Sequence, residues 1–172
     1  MKGIDFSNLS LKDALDLAIL IEEEARERYA EFVDQMEIHH TPEAASFFRL
    51  MVENESKHEA ELANRRRELF GDEPRAMKRT MLWDIEAPDY DQARAFMPVR
   101  RAMEVALESE MKAHQFFARA LQVVVDPAVR TLFEELCREE LVHQDLVRKA
   151  IEKALPDSDI DPDAYADEPV GL

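Results

Sequence analysis

Residues 41–62 read TPEAASFFRLMVENESKHEAEL, and 85 positions further on residues 126–147 read DPAVRTLFEELCREELVHQDLV. Pro127 answers Pro42, Phe133 answers Phe48, Glu140 answers Glu55 and His143 answers His58, with no gap between them. Each segment opens on a polar capping residue and a proline, Thr41-Pro42 and Asp126-Pro127. A proline suits the first turn of a helix, where its missing N–H would have no partner in any case. Behind the prolines, apolar residues recur every three or four positions: Ala44, Phe48, Met51 and Leu62 in one segment, Val129, Leu132, Leu136, Val147, Ile151 and Ala154 in the other. That period marks one buried face of an α-helix. Gly71 is the stop of the earlier helix and Pro156 of the later one. A helical unit repeated in this way predicts two related helical hairpins facing each other across a pseudo-twofold axis.

Each of these helices has a partner before it in the chain. From Leu11 to Ile38 the stripe is Leu11, Ala14, Leu15, Ala18, Ala25, Tyr29, Phe32 and Met36, with Ser10 as N-cap and Asp13 in the first turn. From Val99 to Val125 it is Val99, Met103, Ala106, Ala113, Phe117, Leu121 and Val124. Residues 71–97 hold Pro74 and Pro88 and keep no sustained stripe, so they read as a connection with short helical pieces around Asp91–Phe96. Antiparallel neighbours need only a short turn, whereas this length suits a crossover running along a bundle. The expected architecture is all-α: a four-helix bundle over residues 1–155 with a long crossover between the second and third helices. Residues 156–172 carry Asp157, Asp159, Asp161, Asp163, Asp167 and Glu168 with no base, the composition of a disordered acidic tail.

Composition narrows the function classes. Three glycines in 172 residues, against an average near 7%, leave little for phosphate-cradling loops or tight hairpins. A net charge of −16 repels nucleic acid and anionic membrane and favours neutral or positive partners. The one cysteine, Cys137, excludes an internal disulfide, a four-cysteine zinc site and a rubredoxin-type iron centre. Met1-Lys2-Gly3-Ile4-Asp5-Phe6 has no apolar signal core, and no long uncharged run occurs, so a cytoplasmic protein that does not cross a membrane is expected.

The informative residues are the charged ones that interrupt the apolar stripes. Glu22 falls in the buried register of the first helix, Glu55 and His58 in that of the second, Glu110 in the third, and Glu140 and His143 in the fourth. Each unpaired buried carboxylate costs several kcal/mol, so four would overwhelm a domain stable by roughly 5–15 kcal/mol. No Lys or Arg shares these registers at the same depth; Arg26 and Lys112 fall beside the stripes. Two divalent cations would balance four carboxylates, with the two neutral imidazoles completing the coordination. The pairs Glu55/His58 and Glu140/His143 are three residues apart, so each can grip one ion from one helix face. Oxygen-rich ligation with one imidazole per ion suits iron or manganese, and the lack of thiolates argues against structural zinc.

This constellation resembles the ferritin-like di-iron carboxylate superfamily and, within it, the ferritin-like domain of rubrerythrins. Glu22-Glu23-Glu24-Ala25-Arg26-Glu27-Arg28-Tyr29 is similar to the family's first-helix segment, in which a ligand Glu precedes a Tyr by seven residues. Glu110 to Phe117 repeats that spacing, and Glu55/His58 and Glu140/His143 match the second- and fourth-helix motifs. The resemblance covers about residues 10–155. It implies a ferritin-like four-helix bundle and a non-haem di-iron oxidoreductase that oxidises Fe2+ with O2 or H2O2, as a ferroxidase or a peroxidase in oxidative-stress defence and iron handling. Two departures stand out. Cys137 alone cannot build the rubredoxin domain that rubrerythrins usually carry, so a peroxidase would need a separate electron-donor protein. Many members place a further Glu where this chain has Ala113, and Glu108 lies about 200° around the helix from Glu110, which brings the ligand set closer to the bacterioferritin type.

Alternatives at this stage are a dimanganese, catalase-like enzyme and a non-enzymatic iron-binding or storage bundle. The prolines and alternating Asp after residue 155 leave no fifth amphipathic helix of the cage-ferritin kind, so a homodimer is the expected assembly. Tyr29 is open to two readings, a group touching a ligand carboxylate or relaying an electron, and plain packing. His114 reads either as an extra group near the site or as a half-exposed polar residue. Cys137, Phe47, Phe48, Phe116 and Phe117 read as core, His39 and His40 as solvated, and Trp83 as a cover over the bundle.

Overall fold

Ser10 starts the first helix as expected: its hydroxyl accepts the Asp13 N–H at 3.1 Å and donates to the Asp13 carboxylate at 2.7 Å. From there the computed structural model, which describes residues 4–81, 87–88, 92 and 96–153, runs through α1 (Leu11–Ile38), α2 (Pro42–Phe70), α3 (Val99–Ala120) and α4 (Pro127–Lys153). Short 3-10 turns stand at Phe6–Asn8 and Arg79–Met81, and no strand occurs among the described residues. Asp126 caps α4, its Oδ1 taking the N–H groups of Ala128 (2.8 Å) and Val129 (3.0 Å). Gly71 closes α2 at φ +58°, a backbone angle that costs glycine nothing.

Two termini differ from the sequence reading. Thr41 makes no side-chain cap on α2; its hydroxyl turns back to the Met36 carbonyl at 3.1 Å and closes the end of α1 instead. The third helix was expected to reach Val125 and stops at Ala120. Pro127 disfavours helical backbone at Asp126, and Arg130 of α4 donates to the Val124 carbonyl (3.2 Å) and to the Leu121 carbonyl (2.8 Å), the one that a helix reaching Val125 would have used internally. Val124 alone of the last three valines is buried there. Most of the helical pieces expected around Asp91–Phe96, the packing of Trp83, and the acidic segment 156–172 lie outside the described residues.

α1 packs along α2 and α3 along α4, and the two hairpins meet more thinly through α2 against α3 and α1 against α4. The result is a ferritin-like four-helix bundle. Its apolar interior falls into two clusters. One gathers Leu15, Ile19, Phe117, Leu132 and Phe133; the other gathers Tyr29, Phe32, Met36, Phe48 and Val105. The layer between them contains the six interrupting residues.

The early crossover is tied to the α1–α2 hairpin by charge. Asp16, fully buried, receives Arg66 Nε at 2.5 Å and the Ala76 N–H at 3.2 Å. Arg66 continues to the Gly71 and Glu73 carbonyls at 3.3 and 2.7 Å, and Lys12 reaches the Pro74 carbonyl at 3.0 Å. Further on, Arg75 pairs with Glu23 (2.8 Å), Arg79 with Glu27 (2.6 Å), and Arg28 bonds the Pro88 carbonyl. Removing one partner of a buried ion pair strands the other, so Asp16→Ala is expected to cost about 3–5 kcal/mol in urea denaturation, while an Asp16→Leu/Arg66→Met double variant recovers most of it. A cost for Asp16→Ala under 1 kcal/mol, about the range of an exposed pair, would show that the pair does not hold the crossover.

Candidate metal centre

Four helices each bring one glutamate to the mid-height layer. Glu22 on α1, Glu55 on α2, Glu110 on α3 and Glu140 on α4 are only 1–2% exposed. Burial at these positions follows from register: Glu22 lies between Ala18 and Ala25 and Glu110 between Ala106 and Ala113, while Glu55 and Glu140 follow Met51 and Leu136 by one turn and precede His58 and His143. His58 and His143 close the layer on the α2/α4 side, with side chains 23% and 18% exposed.

The six side chains form two groups of three. In Glu22, Glu55 and His58, one candidate donor atom from each residue lies within 4.8 Å of the others, and the same holds for Glu110, Glu140 and His143. His58 turns Nδ1 towards Glu22 (3.7 Å) and Glu55 (3.9 Å). His143 turns Nδ1 towards Glu110 (3.2 Å) and Glu140 (3.8 Å). The two imidazoles stack face to face, centroids 4.5 Å apart and planes within 8°. Such a pairing is what the 85-residue repeat predicts if its symmetry axis passes between the rings.

The electrostatics are those of a cation site. Burial first, and then the charges of Glu22 and Glu110, push the Glu55 carboxyl well above the usual range. Burial and then Glu110 do the same to Glu140. His58 is lowered by burial and by His143 across the stack. Burial opposes charging of His143 too, but its hydrogen bond to Glu110 and that carboxylate's charge raise it overall. Glu55 Oε1, Glu110 Oε1 and Glu140 Oε2 are buried without a hydrogen-bond donor among the described residues. An orphaned buried oxygen costs about 1–3 kcal/mol, more if charged. Three orphaned carboxylate oxygens in a layer with two imidazoles fit hard divalent cations in chemistry as well as charge.

Tyr29 is fully buried in the adjoining apolar cluster with its ring against Phe48, centroids 6.0 Å apart. His114 belongs to neither group; its backbone carbonyl lies 4.0 Å from the Cys137 sulfur. Cys137 packs in the core, its thiol pKa raised by burial and by Glu134. Glu108 faces outward to Arg101 and Gln92, and Arg26 pairs with Glu59 at 2.8 Å, on the rim. His39, expected to be solvated, is half-buried with its ring 5.7 Å from that of Phe96. Gln144 went unnoticed in the sequence. It is buried, donates to the Glu110 backbone carbonyl at 3.2 Å and accepts from Arg148 at 3.0 Å, tying α3 to α4 beside His143. Its signal was a polar residue one turn after Glu140 on the buried face.

Comparison with known proteins agrees with this geometry. The rubrerythrin family model matches residues 13–151. The crystal structure of an uncharacterized conserved protein from Magnetospirillum magnetotacticum MS-1 superposes with a TM-score of 0.66 at 29% identity, covering 87% of this chain and 99% of that one. No curated protein sequence matches. Among the described residues no helix is long and apolar enough to cross a membrane.

Proposed function

This chain belongs to the rubrerythrin family, and from that premise we propose that it is a non-haem di-iron oxidoreductase that oxidises Fe2+ with O2 or H2O2. Glu22, Glu55 and His58 would hold one ion, and Glu110, Glu140 and His143 the other. The observation that carries this reading is the mid-height layer itself, in which four carboxylates at 1–2% exposure gather with two imidazoles into two groups of candidate donor atoms.

When bound, an Fe2+ pair supplies two electrons, which with two protons cleave the O–O bond of one H2O2 and yield two waters and two Fe3+. The chain's own residues prepare this. In the metal-free protein burial and neighbouring carboxylates oppose the ionisation of Glu55 and Glu140, which hold their protons to higher pH than ordinary carboxyl groups. Those protons leave as cations enter. His58 and His143 turn Nδ1 towards the carboxylates of their groups, where each imidazole would ligate a cation once unprotonated, and Gln144 fixes the height of Glu110 against α4. The apolar clusters above and below exclude water, so the charges in the layer interact at low dielectric.

Anaerobic titration with Fe2+ is expected to saturate at about two ions per chain, as the two donor groups require, and addition of H2O2 to consume about one peroxide per two Fe2+. Ferric product passing to a chelator identifies a ferroxidase; retention with re-reduction by an added donor identifies a peroxidase. Saturation at one ion or none would overturn the dinuclear reading, and two ions bound without oxidation would leave a binding or storage protein. The same titration with Mn2+ and peroxide, read as O2 release, tests the dimanganese alternative.

A further inference from the structure

The stacked imidazoles of His58 and His143 divide the seam between α2 and α4, and a recess opens on either side of them. The two recesses are counterparts under the 85-residue repeat. On the His58 side the cleft, of about 170 Å³, is lined by Glu61, Leu62, Arg65, Glu135, Leu136 and Glu139. Applying the offset to that cleft replaces Glu61 with Leu146, Leu62 with Val147, Leu136 with Met51 and Glu139 with Asn54. Those four residues line the cavity on the His143 side. The repeat therefore kept the apolar walls and the histidine but changed the charge: where one mouth carries carboxylates, the other is neutral.

The neutral cavity also reaches further in. Glu55 of one donor group and Glu110 of the other both line it, so it spans the two groups, and the Oε1 atoms of both are two of the three orphaned buried oxygens noted above. Its volume is about 30 Å³. A water needs about 10–15 Å³ on this measure, so two water-sized bodies fit. O2 and H2O2 are of that size, and a branched alkyl hydroperoxide is not. Leu146, 57% exposed, forms the rim towards solvent, with Met51 and Val147 buried behind it.

We propose that this neutral recess is the oxidant's route to the dinuclear centre, and that Met51, Asn54, Leu146 and Val147 make it a size filter that admits O2 or H2O2 and rejects bulky organic hydroperoxides. The inference rests on the di-iron reading above. A cation has carboxylates to attract it at the other mouth and none at this rim, so changes at Leu146 leave metal uptake intact. Asn54, a neutral amide where the counterpart has Glu139, offers a hydrogen bond to an uncharged peroxide without drawing in metal.

The test compares wild type, Leu146→Ala and Leu146→Trp, all substitutions at an exposed rim position. Each is first titrated with Co2+, and two ions per chain are expected in all three. With the Fe2+-loaded proteins, the rate of tert-butyl hydroperoxide relative to H2O2 is expected to rise about 10-fold or more in Leu146→Ala, in line with what a pocket wall discriminates. Leu146→Trp is expected to slow H2O2 by a similar factor. The Co2+-loaded proteins, which do not turn over, supply a second readout in their visible bands. Azide should shift them in wild type and Leu146→Ala but not in Leu146→Trp, and pivalate only in Leu146→Ala. An unchanged hydroperoxide ratio in Leu146→Ala, or an undiminished azide response in Leu146→Trp, overturns the filter while the dinuclear site stands. Wild type failing to bind two Co2+ overturns both.

Discussion

Glu55→Gln is expected to make the metal-free protein more stable while removing most of what metal does for it. Glu55 is 1% exposed, its Oε1 has no donor, and its neighbours in the layer are Glu22 and Glu110. An amide of the same shape can donate to Glu22 and carries no charge to repel Glu110. Glu55 must keep or take up a proton on folding above its ordinary 4.5, at about 1.4 kcal/mol per pH unit, and Gln avoids that cost, so the expected increase in metal-free urea denaturation at neutral pH is about 1–3 kcal/mol. Metal affinity should fall by at least about 100-fold, since even groups that only orient ligands are worth about 10–100-fold. Stabilisation by metal, which scales with RT ln(1 + [L]/Kd), should shrink accordingly. Measuring both on one variant separates a site built for cations from an ordinary core: a structural role for Glu55 predicts a less stable metal-free variant with no change in metal response.

The second large effect is in pH. Glu55 and Glu140 have folded pKa values well above the ordinary 4.5, so between that value and their folded ones the native state binds more protons than the unfolded chain. Unfolding free energy then falls as pH rises, by up to about 1.4 kcal/mol per pH unit for each group. His143, raised, acts in the same direction above its ordinary 6.5, and His58, lowered, opposes it below that point. The metal-free protein should therefore melt at progressively lower temperature as pH rises from the ordinary 4.5 towards the folded values of Glu55 and Glu140, which is the reverse of ordinary acid denaturation. Saturating Co2+ should invert the trend, because cations bind the deprotonated layer and compete less with protons as pH rises. A metal-free protein that gains stability over that range would mean that the carboxylates are ionised and otherwise compensated.

Much of this was legible because helices write their inward faces into the sequence. The 85-residue repeat, both proline starts, the Gly71 stop and the six core-register Glu and His residues are periodic features, and the structure brings the six together in one layer. What escaped has physical reasons. Asp16 sits inside a run from Ala14 to Glu22 in which every residue is buried, because the crossover and the Phe6 turn cover the side of α1 that a simple stripe leaves to solvent. A stripe analysis has no place for a helix wrapped on all sides, so the Asp16–Arg66 pair went unseen. Thr41 and the early end of α3 were settled by competition for carbonyls, Met36 in one case and Leu121 and Val124 in the other. Such competition between elements leaves no mark in local periodicity. The unequal mouths beside the histidines are legible in the sequence only once the structure says which residues of α2 and α4 face one another.

The division of the interior into two apolar clusters bears on axial alignment. Ridges of Leu, Phe and Ala pack into grooves at several heights, and a slip of one helical turn, about 5.4 Å, still finds grooves to fill. The carboxylates and imidazoles have no such latitude, because donors from α1 and α2, and from α3 and α4, serve one ion only at one height. The thin ionic stratum is therefore the ruler of this bundle: oily packing above and below it supplies cohesion, and the cations it would clasp pick out which of the available longitudinal offsets between helices is the native one.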